Sequence, residues 1–264
     1  MNVVSAAYLY LDGNVVTDPS VPLKDLTIQS HNFAGAYVRT FALANKLARV
    51  QVVLPYVYMN GNGTYNNEDI EGYRSGIADT RIRFGINLLG SPALDRKDFK
   101  DYQQKTILGV SLVTSVPTGD YLEDKIINIG TNRWAFKPEV GASRRFERIY
   151  VESYAGVWFY TSNTEYLGTK NKHQEPALSF QFHSSYYLKN QMWCGINLNW
   201  YQGGKSTIDD VDMDDTINNW RVGATFSAPI AKGQSLRFQF HVGANTTSEL
   251  RYNAVSLSYQ YSFF

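Results

Sequence analysis

The chain has 264 residues, with 25 Lys and Arg against 24 Asp and Glu, for a formal net charge of +1. So even a balance gives no reason to expect a nucleic acid or other polyanion as partner, and the one cysteine, Cys194, excludes an internal disulfide or a zinc site of several thiolates. Hydrophobic residues make up 44%, yet no run approaches the ~18 consecutive apolar residues of a membrane helix. The mean hydropathy of −0.32 is also what a barrel gives, because lipid-facing and lumen-facing residues alternate and cancel. The 19 Tyr, 14 Phe and 5 Trp suit the aromatic girdles of such a barrel.

Residues 2–8 already read as a strand. Export needs a signal peptide and none precedes them, so the native reading frame is expected to begin upstream. Low cysteine use fits passage through an oxidising periplasm. Strands are predicted near 3–11, 26–41, 47–60, 76–89, 105–117, 132–145, 148–162, 177–188, 191–202, 217–229, 234–246 and 252–263. The basis is period-2 alternation. Ile82, Phe84, Ile86 and Leu88 oppose Arg81, Arg83 and Asn87. Leu178, Phe180 and Phe182 oppose Ser179, Gln181 and His183. Leu236, Phe238, Phe240 and Val242 oppose Arg237, Gln239 and His241.

A soluble sandwich alternates too, so the breaks decide. Connections at 146–147, 189–190 and 230–233 are tight; those at 12–25, 61–75, 118–131, 163–176 and 203–216 are long and polar. Two fit less well: 90–104 is long for a periplasmic turn and 247–251 short for an outer loop. Many strands reach ~12 residues, beyond the ~5–6 usual in soluble sheets. The reading is all-β: a single transmembrane antiparallel up-and-down barrel over 1–264, of about twelve strands, with short periplasmic turns and long extracellular loops. It places the chain in the Gram-negative outer membrane, among lipids and lipopolysaccharide. The last strand, with Val255, Leu257, Tyr259, Tyr261 and Phe263 on one face, has the aromatic-ended pattern that the barrel assembly machinery reads; Phe264 shifts the phase by one.

Several segments resemble one family. They are Val52–Tyr56 (VVLPY), 76–84 (GIADTRIRF), 90–94 (GSPAL), 154–158 (YAGVW), 219–223 (NWRVG) and, most specific, 128–139 (NIGTNRWAFKPE). Together they resemble the outer-membrane channels named for the MetA-pathway of phenol degradation, the COG4313 channels, over nearly the whole chain. The resemblance implies a twelve-stranded channel that takes up small hydrophobic or aromatic compounds, with no cofactor and no catalysis. In the family a segment before the first strand folds into the lumen; here Met1 falls at the first strand, so a wider pore is expected.

Strand parity turns Arg39, Arg49, Arg81, Arg83, Lys137, Arg145, Arg221 and Arg237 inward, with Asp79, Glu139 and Glu152, since a charge on the lipid face costs ~2–4 kcal/mol at the midplane. Two readings follow: a basic constriction that favours anionic or polar solutes, or an internal salt-bridge lattice that stiffens a narrow barrel. Pro55, Pro117 and Pro138 lie within predicted strands. Proline removes a ladder bond, and a closed barrel has no edge to hide it, so a lateral gate is expected there, lined by Asn132 with Lys137 and Glu139. The alternative is that Pro117 ends a strand and the other two sit at bulges.

His183, Ser185 and Asn197 match the His-x-Ser and Asn spacing of a barrel phospholipase, which makes a lipid hydrolase, or a purely structural barrel, the alternative function. Parity points all three to the lumen, away from any lipid ester, and the surrounding residues do not match. The run of Asp209, Asp210, Asp212, Asp214 and Asp215 lacks the Gly and Glu of a calcium loop, and His31, His173 and His241 show no metal-ligand spacing, so no metal is expected.

Overall fold

In the computed structural model, which describes residues 1–13, 24–65, 68–94, 102–246 and 252–264, alternation becomes a closed wall. Its strands are β1 (Asn2–Gly13), β2 (Lys24–Leu43), β3 (Lys46–Tyr65), β4 (Glu68–Ile77), β5 (Thr80–Leu89), β6 (Thr106–Val116), β7 (Ala135–Phe146) and β8 (Ile149–Tyr160). Then come β9 (Asn163–Tyr166), β10 (Lys170–Gln174), β11 (Ala177–Tyr187), β12 (Trp193–Gly203), β13 (Ser206–Ile208), β14 (Val211–Asp212), β15 (Ile217–Ala231), β16 (Gln234–Thr246) and β17 (Tyr252–Phe263).

Every wall pairing is antiparallel, and β1 pairs with both β2 and β17, so Ala6 lies opposite Gly35 on one side and Tyr259 on the other. The chain ends thus seal the barrel. β4 and β5 both pair with β3; they are two pieces of one stave, broken at Ala78 and Asp79, which makes the wall a twelve-strand barrel. Closure removes the sheet edges that hydrocarbon would not tolerate. Outward positions carry large apolar side chains, among them Phe33, Leu54, Phe84, Val140, Ile196 and Leu257, all exposed. On β17 the predicted apolar face, Val255 to Phe263, is the outer one.

Three stretches expected as loops are built instead. Residues 61–65 and 68–75 continue a hairpin, with Asn60 opposite Tyr73 and Tyr65 opposite Glu68. Their Gly and Asn content reads as loop, but the ladder is made by backbone, and Ile28 covers Gly61 so closely that a Cβ there would lie 3.0 Å from it. The stretches 163–176 and 203–216 hold a second sheet, β14-β13-β10-β9. It is stitched through the acidic run: Asp215 accepts the Ser206 N–H at 2.8 Å, Asp209 accepts the Asn171 N–H at 2.8 Å, and Asp212 pairs with Lys205 at 2.6 Å. Among the described residues no group of three His, Cys, Asp or Glu is placed to hold a metal. At the other end, the turn over 188–192 is a short 3-10 turn, with Asn190 and Gln191 at positive φ. The front of the long 90–104 connection is held by Pro92 bridging to Lys46. The expected short loop at 247–251 lies outside the described residues.

Candidate functional site

The inner wall is where charge collects. Arg83, on β5, and Lys137, on β7, both bind the Glu139 carboxylate, Lys137 at 2.8 Å. Ser111 on β6, opposite Glu139, donates its hydroxyl to it at 3.1 Å and accepts from Arg83 Nε at 3.3 Å. The Glu139 side chain is only 2% exposed. A carboxylate that deep needs this neutralisation, because an unpaired buried charge is costly. Five inward cations, these two included, lie over rings. Arg83 lies over Tyr154 at 5.6 Å, Lys137 over Trp158 at 5.2 Å, Arg221 over Tyr252 at 3.7 Å, Arg237 over Trp193 at 5.3 Å and Arg145 over Tyr150 at 5.3 Å. Arginine stacks on aromatic faces readily because its guanidinium is planar and weakly hydrated. The lumen is therefore part ion-pair lattice and part cation–ring lattice. The rings were missed because aromatics were assigned to girdles; the same parity that turns Lys137 inward also turns Trp158 inward.

Two expected lumen residues sit elsewhere. Arg39 shares the outer face of β2 with Phe33 and Tyr37 and pairs with Asn2 near the end of β1; a cation is cheap at that rim and expensive only at the midplane. Asp79 is buried at the stave break and faces a loop. Its carboxylate accepts the N–H groups of Gly119 and Thr131, each at 3.0 Å, and the Thr131 hydroxyl at 2.5 Å. Asp79 thus ties both legs of the 117–134 connection, which close on each other so tightly that a Cβ on Gly119 would lie 2.6 Å from Gly130. By register, Arg49, Arg81, Glu152, Arg221 and Arg237 lie on the face of their strands opposite the exposed apolar side chains.

The three prolines do not form one opening. Pro117 lies just past the end of β6. Pro55 faces the break at Ala78 and Asp79, where the register shifts by one residue. There three backbone N–H groups find new acceptors: Ala78 N–H in Pro55 O at 2.9 Å, Ile77 N–H in Asp120 at 2.9 Å, and Thr80 N–H in the Thr118 hydroxyl at 3.0 Å. Pro138 is different. On β7 and β8, Phe136 opposes Phe159 and Glu139 opposes Gly156, but Lys137 and Pro138 have no ladder partner in Trp158 and Val157, and the register is unchanged on either side. This is a gap and not a bulge. On its lipid side lies a groove of about 680 Å³ lined by Pro138, Val140, Val157, Leu178 and Phe180, with the stacked pair Trp200 and Trp220 at one end. Asn132 does not line the gap. It precedes β7, at positive φ, and donates to Asn163 at 3.1 Å and Glu165 at 2.8 Å in β9.

His183 and Asn197 do meet across β11 and β12, at 2.8 Å, and Asn197 donates on to Thr225 at 2.8 Å. No hydrogen bond joins Ser185 to His183, and all three line the lumen cavity, so a base-and-nucleophile pair is missing.

A family described as "Putative MetA-pathway of phenol degradation" matches residues 12–261. The fold is similar to that of the COG4313 outer membrane channel from Pseudomonas putida F1, at 17% identity and a TM-score of 0.80, covering 99% of this chain and 95% of that one. It is less similar to the beta domain of the Bordetella autotransporter BrkA (13%, TM-score 0.55, 99% of each chain) and to the KdgM porin in complex with disordered oligogalacturonate (8%, TM-score 0.52, 99% of each). No curated protein matches the chain. A family match over residues 12–261 of a closed twelve-strand wall places this chain in the phenol-degradation family of outer-membrane channel barrels.

Proposed function

We propose that the protein is a passive channel for uptake of small hydrophobic or aromatic compounds, which leave the lumen through the wall between β7 and β8. The observation that carries this is the coincidence of the Lys137–Pro138 ladder gap with the apolar groove on its lipid side. The lower lumen is a polar cavity of about 990 Å³, lined by Arg49, Glu152, His183, Asn197 and Arg237 among others. An apolar solute gains nothing there but is stabilised on entering lipid. Behind the gap, Lys137 and Trp158 cover the inner side, so unpaired backbone meets polar groups within the protein before hydrocarbon. Gly156 lets the two backbones approach: a Cβ there would lie 2.7 Å from Pro138 O. The naming of the Pseudomonas putida relative as an outer membrane channel supports passage. The outer face meets membrane lipid and lipopolysaccharide, and we take β17 as the strand read during assembly.

The test is uptake of naphthalene by vesicles holding the purified protein. Pro138→Val restores a ladder donor and is expected to slow uptake severalfold while leaving small-ion conductance nearly unchanged. Pro55→Val, at the stitched break, is the control and should change neither. Normal uptake by Pro138→Val would exclude this exit.

A further inference from the structure

The inner wall of a water-filled barrel is polar, and apolar side chains there need a reason. One patch departs from the rule. Leu26 and Ile28 on β2 and Met59 on β3 are buried on the inner face, at the extracellular end, and the 117–134 loop lays Ile126, Ile127 and Ile129 against them. The contact is incomplete. A cavity of about 570 Å³ remains between loop and wall, reaching Ile70 on β4. Pockets for small molecules run from ~300 to ~1,000 Å³ and are mostly apolar with a few polar groups at the rim.

Here the rim chemistry is informative. It carries Glu71, Arg74, Asp124 and Lys125, two acids with two cations, and Asp124 pairs with Lys125 at 2.7 Å. Such a rim carries no net charge to draw in a carboxylate or an ammonium head. The loop wall is also fixed in place. Asp79 holds its two legs, and inside it Asn128 accepts the Leu122 N–H at 2.8 Å and donates to Lys125 O at 2.9 Å. The cavity is thus bounded by tied backbone on the loop side and by ladder-paired strands on the other.

We infer that this mouth pocket is a binding site for a neutral apolar molecule of about the size of a monocyclic aromatic, captured before it passes the Arg83–Glu139–Lys137 knot. Its place in uptake rests on the channel reading above; the binding itself does not. Water displaced from Leu26, Ile28, Met59 and the loop isoleucines supplies the driving force. A charged analogue of the same ring keeps its cost of desolvation at the apolar wall and meets a rim of no net charge.

The experiment uses the whole protein in lipid nanodiscs with Cys194→Ser, carrying a ¹⁹F label on Ile70→Cys at the pocket. Toluene should give a saturable shift, benzoate none. The same label on Leu54→Cys, which faces lipid and is 58% exposed, should report only linear partitioning. Ile127→Asp should raise the half-saturating toluene concentration at least tenfold in protein that still shows the heat-modifiable migration of a folded barrel. Ile126→Asn serves if that variant does not fold. A linear response at Ile70→Cys, an equal response to benzoate, or an unaltered response in both loop variants would overturn the site. Saturable toluene binding with vesicle uptake no faster than protein-free controls would instead leave the pocket standing and sink the channel reading.

Discussion

Pro55 and Pro138 each interrupt a barrel strand, yet the wall answers them in opposite ways. Around Pro55 the neighbouring stave breaks, shifts register by one, and hands its freed N–H groups to Pro55 O, Thr118 and Asp120. Around Pro138 the register is kept and two opposed pairs are simply missing. The first region exchanges ladder bonds for loop bonds and gains an anchored loop. The second leaves a gap with an ion-paired lysine inside and a groove outside. A proline in a barrel strand therefore does not by itself mark an opening; what decides is whether another segment supplies the partners. The 117–134 loop does so at the first break, and among the described residues no loop does so at the second.

The sharpest way to break this comparison is Asp79→Ala. It removes an acceptor of three hydrogen bonds, two of them from backbone N–H groups. Bonds to charged groups contribute ~1.5–3 kcal/mol each, and part of the loss is recovered when the freed loop meets water. A loss of about 3 kcal/mol is expected, read as a lower urea midpoint for unfolding from vesicles. Single-channel conductance should rise and grow noisier as the loop leaves the mouth. If conductance is unchanged, the loop is held by its isoleucines alone and the two breaks are more alike than the geometry implies.

Much of this was legible before any coordinates. Twelve staves follow from period-2 alternation and the outer faces from its phase, because lipid on one side and water on the other penalise any slip of one residue. Three things were not legible. Arg39 obeys the alternation but sits at a rim where the outer face tolerates charge, so a rule that sends every cation inward misplaces it. Asn132 and Asp79 lie beside strands, and their partners, Asn163, Glu165, Gly119 and Thr131, are 31 to 52 residues away in sequence. The hairpin over 61–65 and 68–75 is rich in Gly and Asn, which local propensity assigns to a loop; only the opposing strand and the cover from Ile28 make it a ladder. The prolines were seen, but which of them had substitute partners depended on a loop whose path the sequence does not state.

A smaller effect comes from the knot behind the second break. Glu139→Gln leaves Arg83 and Lys137 facing each other without their shared carboxylate. Removing one partner of a fully buried pair costs ~3–5 kcal/mol. The Arg83 side chain is 25% exposed to lumen water, so about 2 kcal/mol is expected here. The clearer readout is selectivity. With one lumen acid gone and the inward arginines and lysine intact, the reversal potential in a salt gradient should move toward anions. A reversal potential that moves neither in Glu139→Gln nor, in the opposite direction, after neutralising Arg81 and Arg83 would show that the inner charges do not set selectivity.

The smallest effect is expected at the solvent-exposed surface of the extracellular sheet. Lys205 donates to Asp212 at 2.6 Å, and this hydrogen bond holds its ammonium above the usual lysine range. A raised folded-state value means that the pair's contribution is fully present below the unfolded value near ~10.4 and is lost only as pH rises through the folded one. Between pH 6 and pH 9 (values of the test buffer) it should be flat. The pair is solvent-exposed, and such pairs are weak and screened by salt. Lys205→Ala should therefore leave the urea midpoint, the conductance and naphthalene uptake unchanged within error, at low and at high salt alike. The sheet is held instead by the Asp215 carboxylate on Ser206, both buried, and by Gln174, which donates to Gly204 O at 2.7 Å. A measurable drop in Lys205→Ala that high salt abolishes would mean the surface ion pair, and not this buried bonding, holds the sheet over the mouth.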